Sequence, residues 1–314
     1  MRLAVVIPSY KVTRHIAEVV AGIPAMIDHI LVVDDCCPDR SGDVAAALGD
    51  PRVEVLRHAV NKGVGGAVVT GYRRAMELGC DVVVKMDGDG QMDPAELPRL
   101  IEPLENGRAD YAKGNRFRHY HELKTMPPVR LFGNSALSFL VKAASGQWAV
   151  MDPTNGYTAI HRRALEELDL DRLAQRYFFE SDMLIQLGIA GLPVADVAMP
   201  ARYGDEESSL AVSRVLAEFP PLLLRGFLRR LLIRYFIGDF TIASLYLAIG
   251  VPLMGFGISV GVVQWIESVA TGVARTAGTV MVAAMPTILG FQLLLQAIAH
   301  DVQAAPRPRS GPTP

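Results

Sequence analysis

Cysteine is scarce in this chain of 314 residues, with Cys36, Cys37 and Cys80 as its whole supply. Three thiols, two of them adjacent, form neither a disulfide framework nor a zinc pattern, so a disulfide-stapled secreted domain is excluded and free thiols in a reducing compartment are expected. Net charge is nearly absent too. Lys+Arg 31 against Asp+Glu 33 leaves -2, which lacks the bulk positive field that a nucleic-acid partner requires. Charged residues reach only 20% against 50% hydrophobic, which excludes a disordered chain. The mean hydropathy of +0.25 is high for a soluble enzyme, so part of the apolar content is expected in lipid. The opening run Met1 to Pro8 is too short for the core of a signal peptide and is read as a buried first strand.

Two long apolar runs lie in the last third. Residues 236–263 contain one ionisable side chain, Asp239, near their start, and residues 277–299 contain no Asp, Glu, Lys or Arg. As helices they extend about 42 and 34 Å, enough to cross a hydrocarbon core of about 30 Å. Pro252 and Pro286 would break soluble helices but are tolerated in membrane ones. Ahead of them, Arg225, Arg229, Arg230 and Arg234 alternate with leucines and Phe227, an amphipathic basic segment suited to anionic headgroups. Its charge assigns that end to the cytoplasm, and Arg307 and Arg309 agree for the returning tail. The expected organisation is a cytosolic domain over 1–208, an interfacial connector over 209–235, two spans within 236–299 and a disordered Pro-rich tail over 300–314.

The N-terminal two thirds alternate between two patterns. Short β-branched runs at 3–7, 30–33, 53–56 and 82–86 are read as buried parallel strands, and helical patterns fall at 17–26, 43–48 and 65–78. Strand alternating with helix indicates an α/β domain, whose ligands sit beyond the carboxyl ends of the strands. At those ends stand Pro8-Ser9-Tyr10, Asp34-Asp35-Cys36-Cys37, Asn61-Lys62-Gly63-Val64-Gly65-Gly66 and Asp87-Gly88-Asp89-Gly90-Gln91. Asp87 and Asp89, two residues apart with Gln91 nearby, suit a hard divalent cation whose shell a nucleotide diphosphate completes. Asp34 and Asp35 are placed to accept from a base or ribose, or else to make turns. The glycine loop either cradles phosphate or makes a tight turn against a helix; it lacks the Lys-Ser/Thr of a P-loop. Arg116, Arg130 and Arg202 supply guanidinium forks for phosphate. Asp152 opens a polar turn, and Glu180 and Asp182 start a helix where acids are favoured.

In order, VVIPSY, VVDD, NKGVGGA, DGDGQMDP, GNRF, DPTNGY, FFESD and ARYGDEES resemble the family-two, GT-A type glycosyltransferases, above all the dolichyl- and polyprenyl-phosphate sugar synthases, over about Met1 to Ser209. The resemblance implies a Rossmann-like nucleotide-diphospho-sugar transferase domain followed by a two-helix membrane hairpin. It implies inverting transfer of a hexose from a nucleotide sugar of the GDP-mannose or UDP-glucose type to undecaprenyl or dolichyl phosphate, with Mg²⁺ or Mn²⁺, at the cytoplasmic face of the inner membrane. Membrane lipids are then partners, nucleic acid is not, and a homo-oligomer is left open. On this resemblance Pro8, Tyr10, Asp34 and Asp35 line the nucleotide pocket, and Asp87, Asp89 and Gln91 hold metal and diphosphate. Arg116, Arg130 and Arg202 steady the diphosphate or the lipid phosphate, and Asp152, or the Glu180/Asp182 pair, faces the acceptor. Val12 and Cys37 stand where the family often carries an acid and a serine. Two alternatives follow from the same residues: transfer to a glycolipid hydroxyl with Asp152 or Asp182 as base, and a catalytically dead membrane scaffold. The intact Asp87-x-Asp89-x-Gln91 series speaks against the scaffold.

Overall fold

The computed structural model of the chain describes residues 1–116, 128–200 and 212–309. They divide into two units, Met1–Arg230 with Pro306–Pro314, and Leu231–Ala305.

The first unit is built on a seven-stranded sheet: β1 (Leu3–Ser9), β2 (His29–Asp34), β3 (Val53–Arg57), β4 (Val82–Lys85), β5 (Tyr111–Asn115), β6 (Thr158–His161) and β7 (Val194–Ala198), in the order β3-β2-β1-β4-β6-β5-β7. The first four strands lie within a residue or two of the β-branched runs that predicted them. Helices Ile16–Gly22, Ser41–Ala46 and Gly63–Glu77 fall close to the helical patterns. Because strand side chains alternate in direction, Ala4 and Val6 enter one core and Val5 and Ile7 the other. The first core is covered by helices Gly63–Glu77 and Phe179–Ala190, the second by Ile16–Gly22 and Leu97–Glu105. Burial on both faces is why these strands read as continuous apolar runs rather than alternating ones.

One strand departs from the parallel expectation. β6 runs antiparallel to both β4 and β5, with Thr158 opposite Lys85 on one side and Lys113 on the other. The sheet is therefore mixed. This reversal brings the segment before β6, residues 152–157, to the same edge as the carboxyl ends of β4 and β5.

The second unit is a helical hairpin of Ile242–Thr271 and Ala277–Gln303. The first helix starts six residues later than the apolar run, because Thr241 and Ser244 form a reciprocal capping box and Ile233–Gly238 makes a π-helical turn. It also continues to Thr271, where Gly272 at φ +67 ends it, so the polar link is shorter than expected. The most apolar stretches have mean hydropathies of 1.9 and 1.7, yet only 11% and 6% of those stretches are buried. Core helices of a soluble protein would be mostly buried; these present their apolar skin outward, as lipid-facing helices do. The two helices touch through small residues. A Cβ on Gly290 would lie 2.5 Å from the Met254 amide nitrogen and 2.8 Å from the Gly250 carbonyl oxygen. At the opposite end from the link, the Tyr235 hydroxyl donates to Asp301 Oδ1 at 2.5 Å and the Arg234 guanidinium donates to the Ala304 carbonyl at 3.0 Å.

Of the tail expected to be disordered, residues 300–309 are described and 310–314 lie outside the described residues. Arg309 donates to Asp110 Oδ2 at 3.0 Å, and its amide bonds the Arg108 carbonyl at 2.6 Å. Asp110 is fully buried and also takes Arg163, so its charge is compensated by two guanidiniums.

Candidate active site

Strand direction alone gathers the polar motifs. β1, β2, β3 and β4 are mutually parallel, β5 and β7 run with them, and β6 starts where they end. Residues 9–11, 34–40, 58–63, 87–92, 115–116 and 152–157 therefore line one edge of the sheet. Backbone strain collects there as well. Lys11, Cys36 and Arg40, at φ 60, 56 and 56, are the non-glycine residues with left-handed backbone among those described, and all lie in the first two of these loops.

The paired acids after β2 are buried and committed to the loops around them. Asp34 accepts from the amides of Cys37 at 2.8 Å and Gly42 at 3.0 Å, with Arg57 at 3.6 Å. Asp35 accepts from the amides of Lys62 at 2.8 Å and Gly63 at 2.7 Å and from His58 Nδ1 at 2.7 Å. The amides that a phosphate-cradling loop would offer are thus turned onto Asp35. Gly63 needs its φ of +83, and a Cβ on Gly65 would lie 2.9 Å from the Phe179 ring, so these glycines serve a tight turn and close helix packing. Pro8 is half-buried at the end of β1, and Tyr10 stays exposed with Lys11 Nζ 5.6 Å from its ring centroid. Cys37 Sγ accepts from the Lys11 amide at 3.1 Å, tying the first loop to the second, and Val12 packs toward Gly88.

The centre of the edge is a charge cluster around Lys85. Its ammonium, buried in β4, donates to Asp87 Oδ1 at 2.7 Å, to Glu180 Oε1 at 3.2 Å and to the Gly156 carbonyl at 3.2 Å. Burial would depress this lysine, but the Asp87 and Glu180 carboxylates outweigh it and hold its pKa above the usual value. Asp89 accepts the Gln91 amide at 3.0 Å, which fixes the turn, and both side chains stay half-exposed. A Cβ on Gly156 would stand 2.8 Å from Asp87 Oδ2, so only glycine lets the 152–157 turn approach this carboxylate. Among the described residues, no three His, Cys, Asp or Glu side chains form a self-sufficient metal site. Two carboxylates in this spacing fit a hard cation that takes its remaining oxygens from a bound diphosphate and water.

Beside this cluster, Arg116 clamps Asp152. Nε lies 2.8 Å from Oδ2 and Nη2 3.3 Å from Oδ1, and the Thr154 hydroxyl adds a bond at 3.2 Å to a carboxylate with no solvent exposure. Underneath, Lys113 is fully buried and donates to the Asn155 carbonyl, and burial lowers its pKa to about 8. The turn that approaches Asp87 is thus held from both sides.

One expected group, Asp182, is not gathered here. Asp182 Oδ2 accepts the Ala174 amide at 2.8 Å, and Arg229 and Arg225 are the cations that act on it; burial raises its pKa despite them. Glu180, two residues earlier on a helix, is rotated by about 200° to the opposite side and is the acid that joins the cluster. Arg130 lies in the first turn of helix Pro128–Ser145, its side chain outside the described part of the structure, and Arg202 lies outside the described residues. Lys85 and Lys113 escaped notice in the sequence, although a lysine inside an apolar strand run is itself a signal, since unpaired lysine is almost never fully buried.

The model of glycosyl transferase family 2 matches residues 4–169. The chain is 32% identical over 212 residues to the UDP-N-acetylglucosamine–dolichyl-phosphate N-acetylglucosaminyltransferase of Methanococcus voltae, covering 61% of this chain and 84% of that one. It is also 32% identical over 220 residues to the polyprenol monophosphomannose synthase of Mycolicibacterium smegmatis, covering 68% and 81%. Glucosyl-3-phosphoglycerate synthase from Mycobacterium tuberculosis, solved with Mn²⁺, UDP and glucosyl-3-phosphoglycerate, superposes with a TM-score of 0.51 over 76% of this chain and 81% of that one, at 22% identity, a likeness of fold. With more than half its length matched and the mixed, GT-A-like sheet carrying its acids on the expected edge, this chain belongs to glycosyl transferase family 2.

Proposed function

We propose that the protein is an inverting hexosyltransferase that moves a sugar from a nucleotide diphosphate donor, of the GDP-mannose or UDP-glucose type, to a polyprenyl phosphate. Its catalytic unit would lie on the cytoplasmic face of the inner membrane, anchored by a two-pass hairpin. The observation that carries this reading is the meeting of Asp87, Asp89, Lys85 and Glu180 on one sheet edge, in a chain that ends in two lipid-length apolar helices. Relatives whose names specify dolichyl-phosphate and polyprenol acceptors support it. The chain leaves the catalytic unit at Arg230 and re-enters it at Pro306, which supports a hairpin with both ends on one side.

In the proposed reaction a phosphate oxygen of the acceptor attacks the anomeric carbon. The bond from that carbon to the donor's β-phosphate oxygen breaks, the configuration inverts, and the nucleoside diphosphate departs with the electron pair. Asp87 and Asp89 would hold Mg²⁺ or Mn²⁺, which supplies charge stabilisation to the departing diphosphate. Lys85 keeps Asp87 oriented, and the glycine at 156 lets the 152–157 turn close against both side chains. Pro8 and Tyr10 would border the base, with Asp34 and Asp35 acting through the loops they fold. Arg116, Arg130 and Arg202 are the cations offered to donor or acceptor phosphate. A phosphate acceptor is already anionic near neutral pH and needs no general base. Transfer to a hydroxyl would need one, and Asp152 is clamped by Arg116 while Asp182 serves the Ala174 amide; this favours the phosphate acceptor.

The test is sugar transfer to short-chain polyprenyl phosphate from a panel of labelled nucleotide sugars, with Mg²⁺ or Mn²⁺ and with chelator. The expected product is acid-labile and metal-dependent, and Asp89→Ala reduces its rate by about 100-fold or more, the scale of losing a group that stabilises developing charge. Transfer to a glycolipid extract alone would overturn the phosphate acceptor in favour of a hydroxyl.

A further inference from the structure

The catalytic unit exposes an apolar surface that neither its cores nor the proposed chemistry uses. Phe139 is 60% exposed, Leu140 46% and Met151 51%. Trp148 joins them, half-buried, with its ring 6.1 Å from that of Phe139 in an edge-to-face arrangement. Helix Pro128–Ser145 and the turn after it bring the four together. The Ser138 hydroxyl bonds the Met151 carbonyl at 3.1 Å, and Lys142 Nζ stands 3.2 Å from Met151 Sδ, setting a cation at the edge.

Two observations indicate what covers this surface. The first is continuity with the anchor. Arg230, buried to 1%, donates from Nε to the Ala144 carbonyl and from Nη2 to the Ala143 carbonyl, each at 3.0 Å. It thereby satisfies the otherwise orphaned carbonyls at the end of the helix that carries Phe139 and Leu140. Ala143 is one turn, about 6 Å, beyond Phe139. The next residue, Leu231, begins the unit that holds the two apolar helices, so the patch is tied through two hydrogen bonds and one peptide bond to the start of the anchor. The second observation is composition. A tryptophan and a phenylalanine flanked by a lysine are what a bilayer interface accepts: the rings enter the headgroup boundary and the ammonium meets anionic phosphate.

We infer that Phe139, Leu140, Trp148 and Met151 form a bilayer-docking surface of the catalytic unit, seated in the headgroup region of an anionic membrane. The inference rests on the membrane-anchored reading above and adds a second point of attachment to it. Its consequence for the chemistry is positional. Met151 directly precedes Asp152, which holds Arg116, and the Met151 amide donates to Asp196, which also takes the Asn115 side chain. Seating this surface at headgroup depth sets the Arg116 end of the active edge at the level where a lipid-borne phosphate resides, so acceptor and donor meet without the lipid leaving the bilayer.

The chain's two tryptophans, Trp148 and Trp265, make the test direct. Full-length Trp265→Phe, whose sole indole is Trp148, is reconstituted in vesicles of phosphatidylcholine and phosphatidylglycerol without polyprenyl phosphate, with ordinary or brominated acyl chains. Trp148→Phe, reporting from Trp265 in the first apolar helix, is run in parallel. Quenching of Trp148 by bromolipid, a blue-shifted emission and protection from aqueous iodide are expected, as is weakening of all three when Phe139→Ser and Leu140→Ser are added. If Trp265 is quenched while Trp148 remains open to iodide, the anchor stands and the docking surface is overturned. If neither is quenched, the anchored reading fails and takes the inference with it. Shielding of Trp148 that appears only on adding polyprenyl phosphate would assign the surface to the acceptor's own chain, and shielding that depends on protein density would assign it to a second copy; either overturns bilayer docking.

Discussion

The two units of this protein use the same classes of side chain in opposite places. In the catalytic unit the apolar residues are inside and the strand ends bury charge: Lys85, Lys113, Asp34, Asp35 and Asp152 are each almost wholly inaccessible. In the hairpin the large apolar residues are outside, among them Phe256, Ile266, Ile288 and Phe291, and the contact between helices is made by glycine. Water-excluded charge is costly and persists where partners compensate it, which suits a site that must handle a diphosphate. Lipid-facing helices gain nothing from burying leucine against leucine, so close backbone approach decides how they pair. On the proposed reading, each unit is organised by the solvent it would meet.

This contrast can be broken at several points. The largest effect is the loss of transfer in Asp89→Ala, since no other expected metal donor lies beside Asp87 except Gln91; folding should be unchanged by circular dichroism. Next is Lys85→Met, which leaves Asp87 and Glu180 without their shared cation and is expected to cost about 3–5 kcal/mol of stability. Adding Glu180→Gln should recover part of that loss in denaturant melts of the detergent-solubilised protein. If the single variant is as stable as the parent, the cluster is not held by charge compensation.

In the hairpin, Gly290→Val drives a side chain into the Met254 backbone. It is expected to cost about 1–3 kcal/mol, the scale of overpacking, and to leave nucleotide-sugar binding by the catalytic unit intact. Separate thermal transitions for the two units would check this.

The last effect shows only when pH is varied. Burial lowers Lys113 from 10.5 to about 8, so below pH 8 the folded protein carries a buried ammonium at a cost. Between about pH 8 and 10.5 the unfolded chain binds more protons at this residue than the folded one, and stability from this group rises with pH across that window. Lys113→Met removes the term, so the stability of the variant relative to the parent should fall as pH is raised from 8 to 10.5. A difference in Tm that is flat across the window would mean that the Asn155 carbonyl and nearby acids keep Lys113 charged.

Much of this was legible in the residues. Continuous β-branched runs located β1 to β4, because strands buried on both faces need no alternation, and the two apolar runs announced the hairpin by length alone. Asp87 and Asp89 could be singled out because a turn that follows a strand must lie at the ligand-binding edge. Partnership was not legible. Nothing in the spacing indicated that Lys85 would pair with Glu180, 95 residues away, or that Arg116 would take Asp152. The glycine loop illustrates the limit: its sequence is compatible with a phosphate cradle, and the structure gives its amides to Asp35.

The sequence by itself thus determined the class of fold, the order of its motifs, the family they resemble and the presence of two lipid-length helices. These follow from local periodicity and from residue types, which act over a few positions. The tertiary structure alone decided that β6 is reversed, which of the acids are engaged by guanidinium, ammonium or amide, that Glu180 and not Asp182 joins the cluster, and that Arg230 caps the helix bearing Phe139. Those outcomes depend on which groups become neighbours once water is excluded. That in turn depends on strand direction and helix phase, and no single segment carries the information.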